Sequence, residues 1–584
     1  MKTVLCVAAL VETSPQAVPL GAACIVSALK STSFFNDTLN FSLLDFSIED
    51  FQKKGKTLSE SARTVSEKII SENKDLFAVC FSIYVWNRTL LETVCALLKK
   101  NFPGLICIAG GPEVTANPAS FTEFDYVVSG WGEKTVPLLL RSLYEKENIL
   151  ITDSLFTKIP GVYAPLKNDG NRNEDEHLLG LNGHPATLLP LPRSAVLDLQ
   201  EISSPWLDGT LNPQKYGGVL WELARGCPFK CSYCYESKGE QKIQYFPLER
   251  LEKELRLFSS YKVPQVFVLD PTYNASKKRA LEMLSLIKTI APDTFFYFEA
   301  RAEFIDRELA AAFASVNCSL QFGLQSADAS VLKNVNRSFD KKVFEKNIGF
   351  LNKSGAVFGF DLIYGLPGDT LQGFCASLDF ALSLYPNNLE LFCLSVLPGT
   401  DLYETAQSLG LTWMAYPPYH VVESTSFSAK DLAAAKKLSE AADIFYNSGR
   451  AVPWFLSVLK PLRQKPSTFL REFAQYLETH SVQTCCSSQK ARELQLCFVR
   501  NKYASRNLNR LVSVAEDLIV LNGALGEATA TGTESVVQLH YHPDDLMSGY
   551  AADLDFFAKN AGKFANRTKV FVSKNGPDWK ILGH

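Results

Sequence analysis

Short apolar runs alternate with longer amphipathic segments through residues 1–145 of the chain. Fully apolar or period-two runs predict strands, and apolar positions spaced three and four apart predict helices. The predicted strands are 3–11, 41–45, 76–82, 105–109 and 126–129, and the predicted helices are 21–30, 58–72 and 90–100. This order predicts a doubly wound α/β domain that binds ligands at the carboxyl ends of its strands.

The first apolar run, 3–11, also has features of a signal peptide, because a lysine precedes it and small residues follow it. The run is short, and the next segment has the pattern of a helix that continues a fold. We therefore interpret 3–11 as a buried first strand.

A second alternating region covers residues 216–400. The predicted strands are 219–223, 265–269, 295–299, 319–323, 357–363 and 391–396, with helices at 247–261, 277–290, 341–353 and 371–384. Strands separated by helices in this way predict a partial (β/α)6 barrel of the TIM type, which places chemistry at the carboxyl ends of its strands.

Two further regions lack this regularity. Residues 146–215 lose periodicity and predict a linker or strap, with a charged exposed loop at 167–177. Residues 401–584 predict a mixed extension of unknown role, with helices at 431–445 and 467–478 and strands at 536–539 and 569–572. Within it, the rigid aromatic sequence 417–420 (PPYH) is a candidate lining of a substrate entrance, although a structural turn is the favoured interpretation.

Composition excludes several classes of protein. Of the 584 residues, 46% are hydrophobic and 21% are charged, which is ordinary for a globular chain and excludes wholesale disorder. The net charge of −3 gives no global basic excess for a nucleic acid. No apolar stretch approaches the roughly 18 residues of a membrane span. Many of the 14 cysteines lie singly in apolar runs, which indicates a reducing, cytoplasmic setting.

Three cysteines are clustered directly after the first predicted barrel strand: Cys227, Cys231 and Cys234. Three thiolates at this spacing can ligate three irons of a 4Fe-4S cluster and leave the fourth iron open to a substrate. Zinc is the alternative, but zinc sites normally use paired Cys-x2-Cys units or added histidines. The nearest histidines in sequence, His184 and His420, are far from the triplet.

The triplet, with the aromatic Tyr233 before its third cysteine, resembles the signature of the radical S-adenosylmethionine (SAM) superfamily. Segments 268–274, 298–301, 322–326, 360–368 and 394–400 resemble the strand ends of that superfamily's barrel, the last one near the adenine of SAM. The resemblance implies a set of SAM contacts, for which ordinary strand-end hydrogen bonding is the alternative. These are Tyr233, Asp270, Glu299, Arg301, Gln325, Ser326, Asp361 and Val396.

The same resemblance implies a reaction. SAM would bind the open iron, and one electron from an external reductant, passed through the cluster, would cleave it to methionine and a 5′-deoxyadenosyl radical. The three cysteines would then be both metal ligands and catalytic residues.

Residues 1–145 resemble the cobalamin-binding Rossmann domain that precedes many radical SAM barrels. The residues that carry this resemblance follow predicted strands or open helices: Pro19, Gly21, Ser82, Trp86, Gly110, Gly111, Pro112, Glu113, Gly130, Gly132 and Glu133. The region contains no histidine, which excludes an imidazole ligand to cobalt from this domain. Two interpretations stay open: the domain binds cobalamin, or it is a scaffold without cofactor.

Together the two resemblances imply a cobalamin-dependent methyltransferase that acts on an unactivated carbon of a small molecule or natural-product intermediate. The alternative is a radical SAM enzyme of another type, such as one catalysing a cyclisation, a rearrangement or another group transfer, with an unused cobalamin domain. No motif identifies the substrate.

Overall fold

The computed structural model describes residues 2–11, 17–73, 75–149, 157–164, 197–238, 242–481, 487–560, 563, 565–573 and 579–582. The charged loop at 167–177 and most of the segment 188–199 lie outside these residues. Within the described ranges, no helix combines the length and the hydropathy that crossing a bilayer requires.

The N-terminal region forms a six-stranded sheet in the order β2-β1-β3-β4-β5-β6, parallel except for the last strand. Its strands are β1 Lys2–Leu10, β2 Leu39–Ser47, β3 Leu76–Ser82, β4 Ile106–Gly110, β5 Tyr126–Val128 and β6 Val162–Tyr163. Its helices are α1 Leu20–Lys30, α2 Ile48–Lys53, α3 Leu58–Glu72, α4 Arg88–Asn101, α5 Pro112–Ala116 and α6 Gly132–Tyr144. The predicted doubly wound fold is confirmed, and the sheet continues past residue 145 into the segment predicted as linker.

Separate apolar cores cover the two faces of this sheet. Helices α3 and α4 pack on one face through residues such as Val65 and Val94, and α1 and α6 pack on the other through Val26 and Leu139. Because both faces are covered, the carboxyl edge of the parallel strands is where a ligand can approach the sheet.

The second sheet is wholly parallel, in the order β7-β10-β11-β12-β13-β14. Its strands are β7 Val219–Trp221, β10 Gln265–Val268, β11 Phe295–Ala300, β12 Cys318–Gln325, β13 Val357–Tyr364 and β14 Asn388–Cys393. Two short strands that follow β7 in the chain, β8 Ala224–Arg225 and β9 Gln244–Tyr245, form a separate antiparallel pair. The helices are α7 Leu248–Ser260, α8 Lys277–Ile290, α9 Arg307–Ala314, α10 Ala329–Asn334, α11 Lys341–Ser354 and α12 Leu371–Ser383. This is the predicted partial (β/α)6 barrel.

The sixth barrel strand ends at Cys393, earlier than the predicted 391–396. After it the backbone leaves β13 and pairs with a later segment instead: the Val396 N–H donates to the Tyr419 carbonyl at 2.9 Å, and Ser395 forms a bridge with His420. The apolar run at 391–396 therefore continues past the end of β14, where it contacts the segment at Tyr419 and His420 and does not extend the barrel sheet.

Side chains of the barrel strands alternate between the helices and the inside of the barrel, which we call the lumen. In β11, Phe296 and Phe298 are buried in the core, whereas Tyr297 and Glu299 are exposed. The lumen is thus the polar and accessible face, as a substrate site requires.

The C-terminal region packs onto the barrel through one continuous core that runs from Val219 to Val572. Its helices are α13 Asp401–Thr405, α14 Ala429–Ala442, α15 Phe455–Leu459, α16 Pro466–Thr479, α17 Ser488–Ser505, α18 Val512–Thr531, α19 Pro543–Leu546 and α20 Leu554–Lys559. Its strands form a hairpin, β15 Leu411–Trp413 with β16 Val421–Ser424, and an antiparallel sheet of β17 Ser535–Tyr541, β18 Ala565–Val572 and β19 Trp579–Leu582. The hairpin comes directly after the barrel, and the loop at its tip contains the sequence PPYH.

Candidate active site

A cavity of about 880 Å³ lies where residues at the carboxyl ends of both parallel sheets meet. The N-terminal domain contributes Gly21, Ser82, Tyr84, Gly110, Gly111, Pro112, Thr115, Gly130, Trp131, Gly132 and Glu133 to its wall. The barrel contributes Glu222, Ala224, Arg225, Gly226, Tyr235, Glu236, Leu269 and Pro271. The predicted cobalamin site therefore shares one cavity with barrel residues that adjoin the cysteine triplet, but the three cysteines and the predicted SAM contacts are not among the lining residues.

Most of the predicted cobalamin contacts line this cavity, but Pro19, Trp86 and Glu113 are not among its lining residues. The Trp86 ring stacks on Tyr84 at 4.5 Å and is partly exposed. Glu113 is buried and accepts a hydrogen bond from Arg88 at 3.1 Å. The side chains of Trp86 and Glu113 thus lie behind the cavity wall and support it. Pro19 precedes the first residue of α1.

Five glycines of the N-terminal domain line the cavity, and we call them the glycine edge: Gly21, Gly110, Gly111, Gly130 and Gly132. Gly111 has φ +112°, and a Cβ atom there would lie 2.5 Å from the carbonyl oxygen of Ile83. A Cβ on Gly21 would lie 2.9 Å from the hydroxyl oxygen of Tyr84. Only glycine lets the backbone make these close approaches, so the N-terminal domain meets a ligand with main-chain atoms.

The cavity also extends into the core of the N-terminal domain, which the sequence reasoning did not foresee. Cys6 and Ile108 of the sheet, Ile25 of α1 and Val136 of α6 line this deeper part. Strand and helix patterns could not reveal it, because these positions have the sequence signature of ordinary core. Glycine edges beside an apolar recess fit a large, partly apolar cofactor such as a corrinoid.

The three clustered cysteines lie on the loop between β8 and β9. Cys227 and Cys231 are buried, and Cys234 is partly buried. The loop begins at Gly226, which has φ +94°. Just before it, the carboxylate of Asp270 accepts the backbone N–H groups of Leu223 at 2.9 Å and Ala224 at 3.0 Å. Asp270, predicted as a SAM contact, holds the start of the cysteine loop.

The segment after α10 fixes the same loop from another side. The Ser232 N–H donates to the Val335 carbonyl at 3.0 Å, and the Asn336 amide donates to the Lys230 carbonyl at 2.6 Å. Arg337 donates to the Tyr233 hydroxyl at 3.4 Å. The cysteine backbone is thus held in place by protein contacts alone, which preorganises the thiols.

The thiols themselves fit an iron–sulfur cluster. Burial raises the pKa of Cys234 to about 11, with the neighbouring thiols of Cys231 and Cys227 raising it further, and burial also raises the pKa of Cys227. A bound cation would offset this cost by stabilising the thiolates. Among the described residues no three ligands converge on a single metal ion. A cubane does not need such convergence, because each thiolate binds a different iron.

Carboxylates and amides line the lumen beside the cysteine loop. Burial, with Glu299 and Glu390 nearby, raises the pKa of Asp361 to about 7, although Gln321 donates to it at 2.7 Å. The Glu299 side chain is accessible from the lumen, but desolvation by the surrounding barrel, followed by the charge of Glu236, raises the pKa of Glu299. Gln325 has φ +65°, and its buried side-chain oxygen has no hydrogen-bond partner within the described residues. Such a conformation beside an unsatisfied acceptor fits a ligand site.

Three other predicted SAM contacts already have partners in the protein. Arg301 pairs with Glu303 at 2.9 Å and lies 3.9 Å over the ring of Phe229, on the cysteine loop. Ser326 accepts the Asp328 N–H at 3.1 Å. Val396 is buried under the hairpin. Whether these residues also contact SAM stays a prediction.

Arg225 joins the two halves of the cavity. Its guanidinium donates to Glu133 of the N-terminal domain at 2.7 Å and to Glu222 of the barrel at 2.7 and 2.9 Å. It lies 5.3 Å over the ring of Trp131. Burial opposes its charge, but the two carboxylates outweigh burial and raise the pKa of Arg225. A buried ion pair therefore links the domains two residues before Cys227.

Models of known families match three consecutive parts of the chain. A B12 binding domain matches residues 7–140, the radical SAM superfamily matches residues 221–381, and a protein of unknown function (DUF4080) matches residues 407–519. The first two coincide with the doubly wound domain and the partial barrel, and the third covers most of the hairpin and the helices that follow it.

Two curated relatives are methyltransferases, and the name of the first contains the same combination. The chain is 26% identical over 350 residues to the cobalamin-dependent radical SAM methyltransferase TokK of Streptomyces tokunonensis, covering 56% of this chain and 47% of that protein. It is 27% identical over 300 residues to the 2-(S-pantetheinyl)-carbapenam-3-carboxylate methyltransferase of Streptantibioticus cattleyicolor, covering 47% of this chain and 39% of that protein. The chain thus spans less than half the length of these two relatives.

Solved structures share the fold. The cobalamin-dependent SAM radical enzyme OxsB, with aqua-cobalamin and SAM bound, has a TM-score of 0.56 at 14% identity, covering 90% of this chain and 79% of that one. The radical SAM methyltransferase TsrM from Kitasatospora setae, with cobalamin and a 4Fe-4S cluster bound, has a TM-score of 0.51 at 15% identity, covering 71% and 76%.

The matched domains imply a 4Fe-4S cluster, SAM and cobalamin as the cofactors, and the donor sets described above fit them. The chain therefore combines a B12-binding domain over residues 7–140 with a radical SAM domain over residues 221–381, the second of which contains the cysteine triplet.

Proposed function

We propose that this chain is a cobalamin-dependent radical SAM methyltransferase that methylates an unactivated carbon of a small molecule. One observation carries the proposal: the wall of a single cavity contains both the glycine edge of the B12-binding domain and the residues that flank the cysteine triplet, Gly226 and Tyr235. Methyl transfer between cobalamin and a substrate radical requires that these two sites adjoin.

The residues have separable roles in this proposal. Cys227, Cys231 and Cys234 would hold the cluster, and the lumen residues Glu299 and Gln325 would orient SAM beside it. When bound, the cluster and cobalamin supply the electron that cleaves SAM and the methyl group that is transferred. The chain contributes the fixed loop, the adjoining cavity and exclusion of water, which together position the reactants.

Tyr235 supports this arrangement, because it lines the same cavity as Thr115 of the B12-binding domain. The residue after the third cysteine therefore shares the cavity wall with the helix that follows the glycine edge. A corrinoid bound at Gly111 would lie next to the loop that carries the cluster.

We further propose a small-molecule or natural-product substrate, because the cavity that the two domains share has a limited volume of about 880 Å³. The reaction needs an external one-electron donor. A reducing compartment such as the cytoplasm fits the distribution of the cysteines, because many of them lie singly in apolar runs.

Product analysis tests the proposal. The chain is purified and reconstituted anaerobically with iron, sulfide and hydroxocobalamin, and is then incubated with SAM, a reductant and candidate substrates. We expect bound cobalamin by its visible absorbance, and S-adenosylhomocysteine together with 5′-deoxyadenosine when a substrate is present. Protein that retains no cobalamin, or that gives 5′-deoxyadenosine alone with every substrate it turns over, would contradict methyl transfer and support the alternative reaction types.

A further inference from the structure

The C-terminal region, which the proposed function leaves without a role, extends a hairpin to the B12-binding domain. The hairpin strands are β15 and β16, and Tyr419 lies in the loop between them. The Tyr419 side chain is 2% exposed and its backbone has φ +58°, a conformation that is uncommon for a bulky residue. A strained, buried tyrosine in a loop indicates that its surroundings determine its position.

Those surroundings belong to the other domain. The Tyr419 hydroxyl donates to the carboxylate of Glu113 on α5, and Arg88 on α4 donates to the same hydroxyl at 3.2 Å. Arg88 also donates to Glu113 at 3.1 Å and to Ser120 at 3.1 Å, and lies 4.4 Å over the ring of Phe121. Tyr419 thus completes a buried polar network that holds α5 and the segment after it.

The backbone of the hairpin is tied to the loop that follows the sixth barrel strand. The Val396 N–H donates to the Tyr419 carbonyl at 2.9 Å, and the Val421 N–H donates to the Leu394 carbonyl at 2.9 Å. Gly399 of the same loop packs against α5 directly, since a Cβ there would lie 3.1 Å from the backbone of Ala116. Gly399 also lines the cavity.

Loop 394–400 therefore contacts the B12-binding domain by two routes, through Gly399 and through Tyr419. By resemblance this loop lies near the adenine of SAM, and α5 begins directly after the glycine edge of the cavity at Gly111. We infer that Tyr419 is a positioning residue that ties the SAM side of the barrel to the B12-binding domain, so that SAM bound in the barrel and the N-terminal domain stabilise each other. This inference rests on the proposed function in one respect: it takes SAM as the ligand of the barrel.

Hydrogen exchange tests the inference without methyl transfer and without cobalamin. Exchange is measured by mass spectrometry on the full chain with its reconstituted cluster, with and without SAM and without reductant. In the wild-type chain we expect SAM to slow exchange about fivefold or more in 394–400 and also in 112–121. Tyr419→Phe removes one hydroxyl. In this variant we expect SAM to slow exchange in 112–121 by less than about twofold, while it slows exchange in 394–400 as much as in the wild type.

Tyr446→Phe is the matched control, because Tyr446 is also buried and its hydroxyl donates at 2.6 Å to a carbonyl within the barrel side of the molecule, that of Pro386. We expect this variant to behave as the wild type. Equal protection of 112–121 in Tyr419→Phe and the wild type would overturn the inference, as would a wild-type chain in which SAM protects 394–400 alone.

The wild-type chain provides a second test that does not depend on any variant. We take the arrangement of 112–121 that SAM stabilises to be the one that binds cobalamin. Coupling between the two sites then means that SAM lowers the Kd for hydroxocobalamin, by about fivefold or more. An unchanged Kd would overturn the inference. The two proposals fail separately: methyl transfer without this coupling refutes the role of Tyr419, and coupling without methyl transfer refutes the proposed reaction.

Discussion

The two parallel sheets present different chemistry to the same cavity. The N-terminal sheet ends in glycines, and positions such as Gly111 leave no space for a side chain. The barrel side contributes carboxylates and a guanidinium, among them Glu222 and Arg225, and the cysteine triplet begins two residues after Arg225. One domain is built to accommodate a large ligand closely, and the other is built to bind metal and charge.

This difference indicates which changes each domain tolerates. A site formed by glycine backbone should lose ligand binding when atoms are added, because the backbone already contacts neighbouring protein atoms. A site formed by side chains should lose ligand binding when functional groups are removed. The following variants test that distinction, beginning with the largest expected effect.

Replacing Cys227, Cys231 and Cys234 together by alanine should remove the cluster and with it all SAM cleavage. Thiolates are the ligands of such a cluster, and these three cysteines lie together on one loop. Iron content and 5′-deoxyadenosine formation measure the outcome. Cys375→Ala, which changes a buried cysteine on α12, should retain both. SAM cleavage by the triple variant would refute the assignment of the site.

Gly111→Ala should lower the affinity for hydroxocobalamin about tenfold or more, because the added Cβ would lie 2.5 Å from the Ile83 carbonyl oxygen and φ +112° disfavours alanine. Absorbance titration gives the Kd, and circular dichroism reports whether the domain is folded. Gly104→Ala adds the same methyl group where nothing lies within 4 Å, and it should bind as the wild type does. Equal Kd values for the two variants would contradict the backbone role of the edge.

Glu133→Gln tests the link between the two domains. It removes one carboxylate from the buried pair with Arg225, and we expect a loss of about 2 kcal/mol of stability together with weaker hydroxocobalamin binding. Glu145→Gln alters the exposed Arg141 pair in the same domain and should change stability by less than about 0.5 kcal/mol. Thermal unfolding measures both, and equal effects would argue against a special role for the Arg225 pair.

Asp270→Asn should change the pH dependence of stability. Burial raises the pKa of Asp270 to about 7 in the folded chain, above its ordinary unfolded value of about 3.9. Between these two pH values the folded chain keeps a proton that the unfolded chain has lost, so this group destabilises the fold progressively as pH rises toward 7. Asparagine can accept the same two N–H bonds without charge.

We therefore expect the Tm of Asp270→Asn relative to the wild type to be higher at pH 8 than at pH 5. Asp306→Asn should leave the relative Tm nearly unchanged between pH 5 and pH 8, because the backbone N–H of Leu309 and then Lys277 lower the pKa of Asp306, so this carboxyl is ionised in both the folded and the unfolded chain over that range. If the Tm difference between Asp270→Asn and the wild type were the same at pH 5 and pH 8, the pKa of Asp270 would not be raised in the folded chain. That result would contradict the prediction.

The sequence predicted the two α/β regions well, because strand and helix periodicity depend on local burial. It also identified the cysteine triplet and the glycine edge, since both are short and have a distinctive composition. It placed the sixth barrel strand too late, because 394–396 are as apolar as a strand but pair with the hairpin instead. It also assigned Glu113 to the ligand, although that carboxylate is bound to Arg88 and Tyr419.

The sequence by itself determined the fold class of each sheet, located the cysteine triplet as the candidate cluster site, and excluded a histidine ligand from residues 1–145. The tertiary structure decided that the glycine edge and the residues flanking the cysteine triplet line one cavity, that Arg225 pairs with Glu133, and that the hairpin places Tyr419 against α5. The reason is physical. Motifs and periodicity report contacts over a few residues, whereas these pairs are 92 and 306 residues apart and form only when the domains pack together.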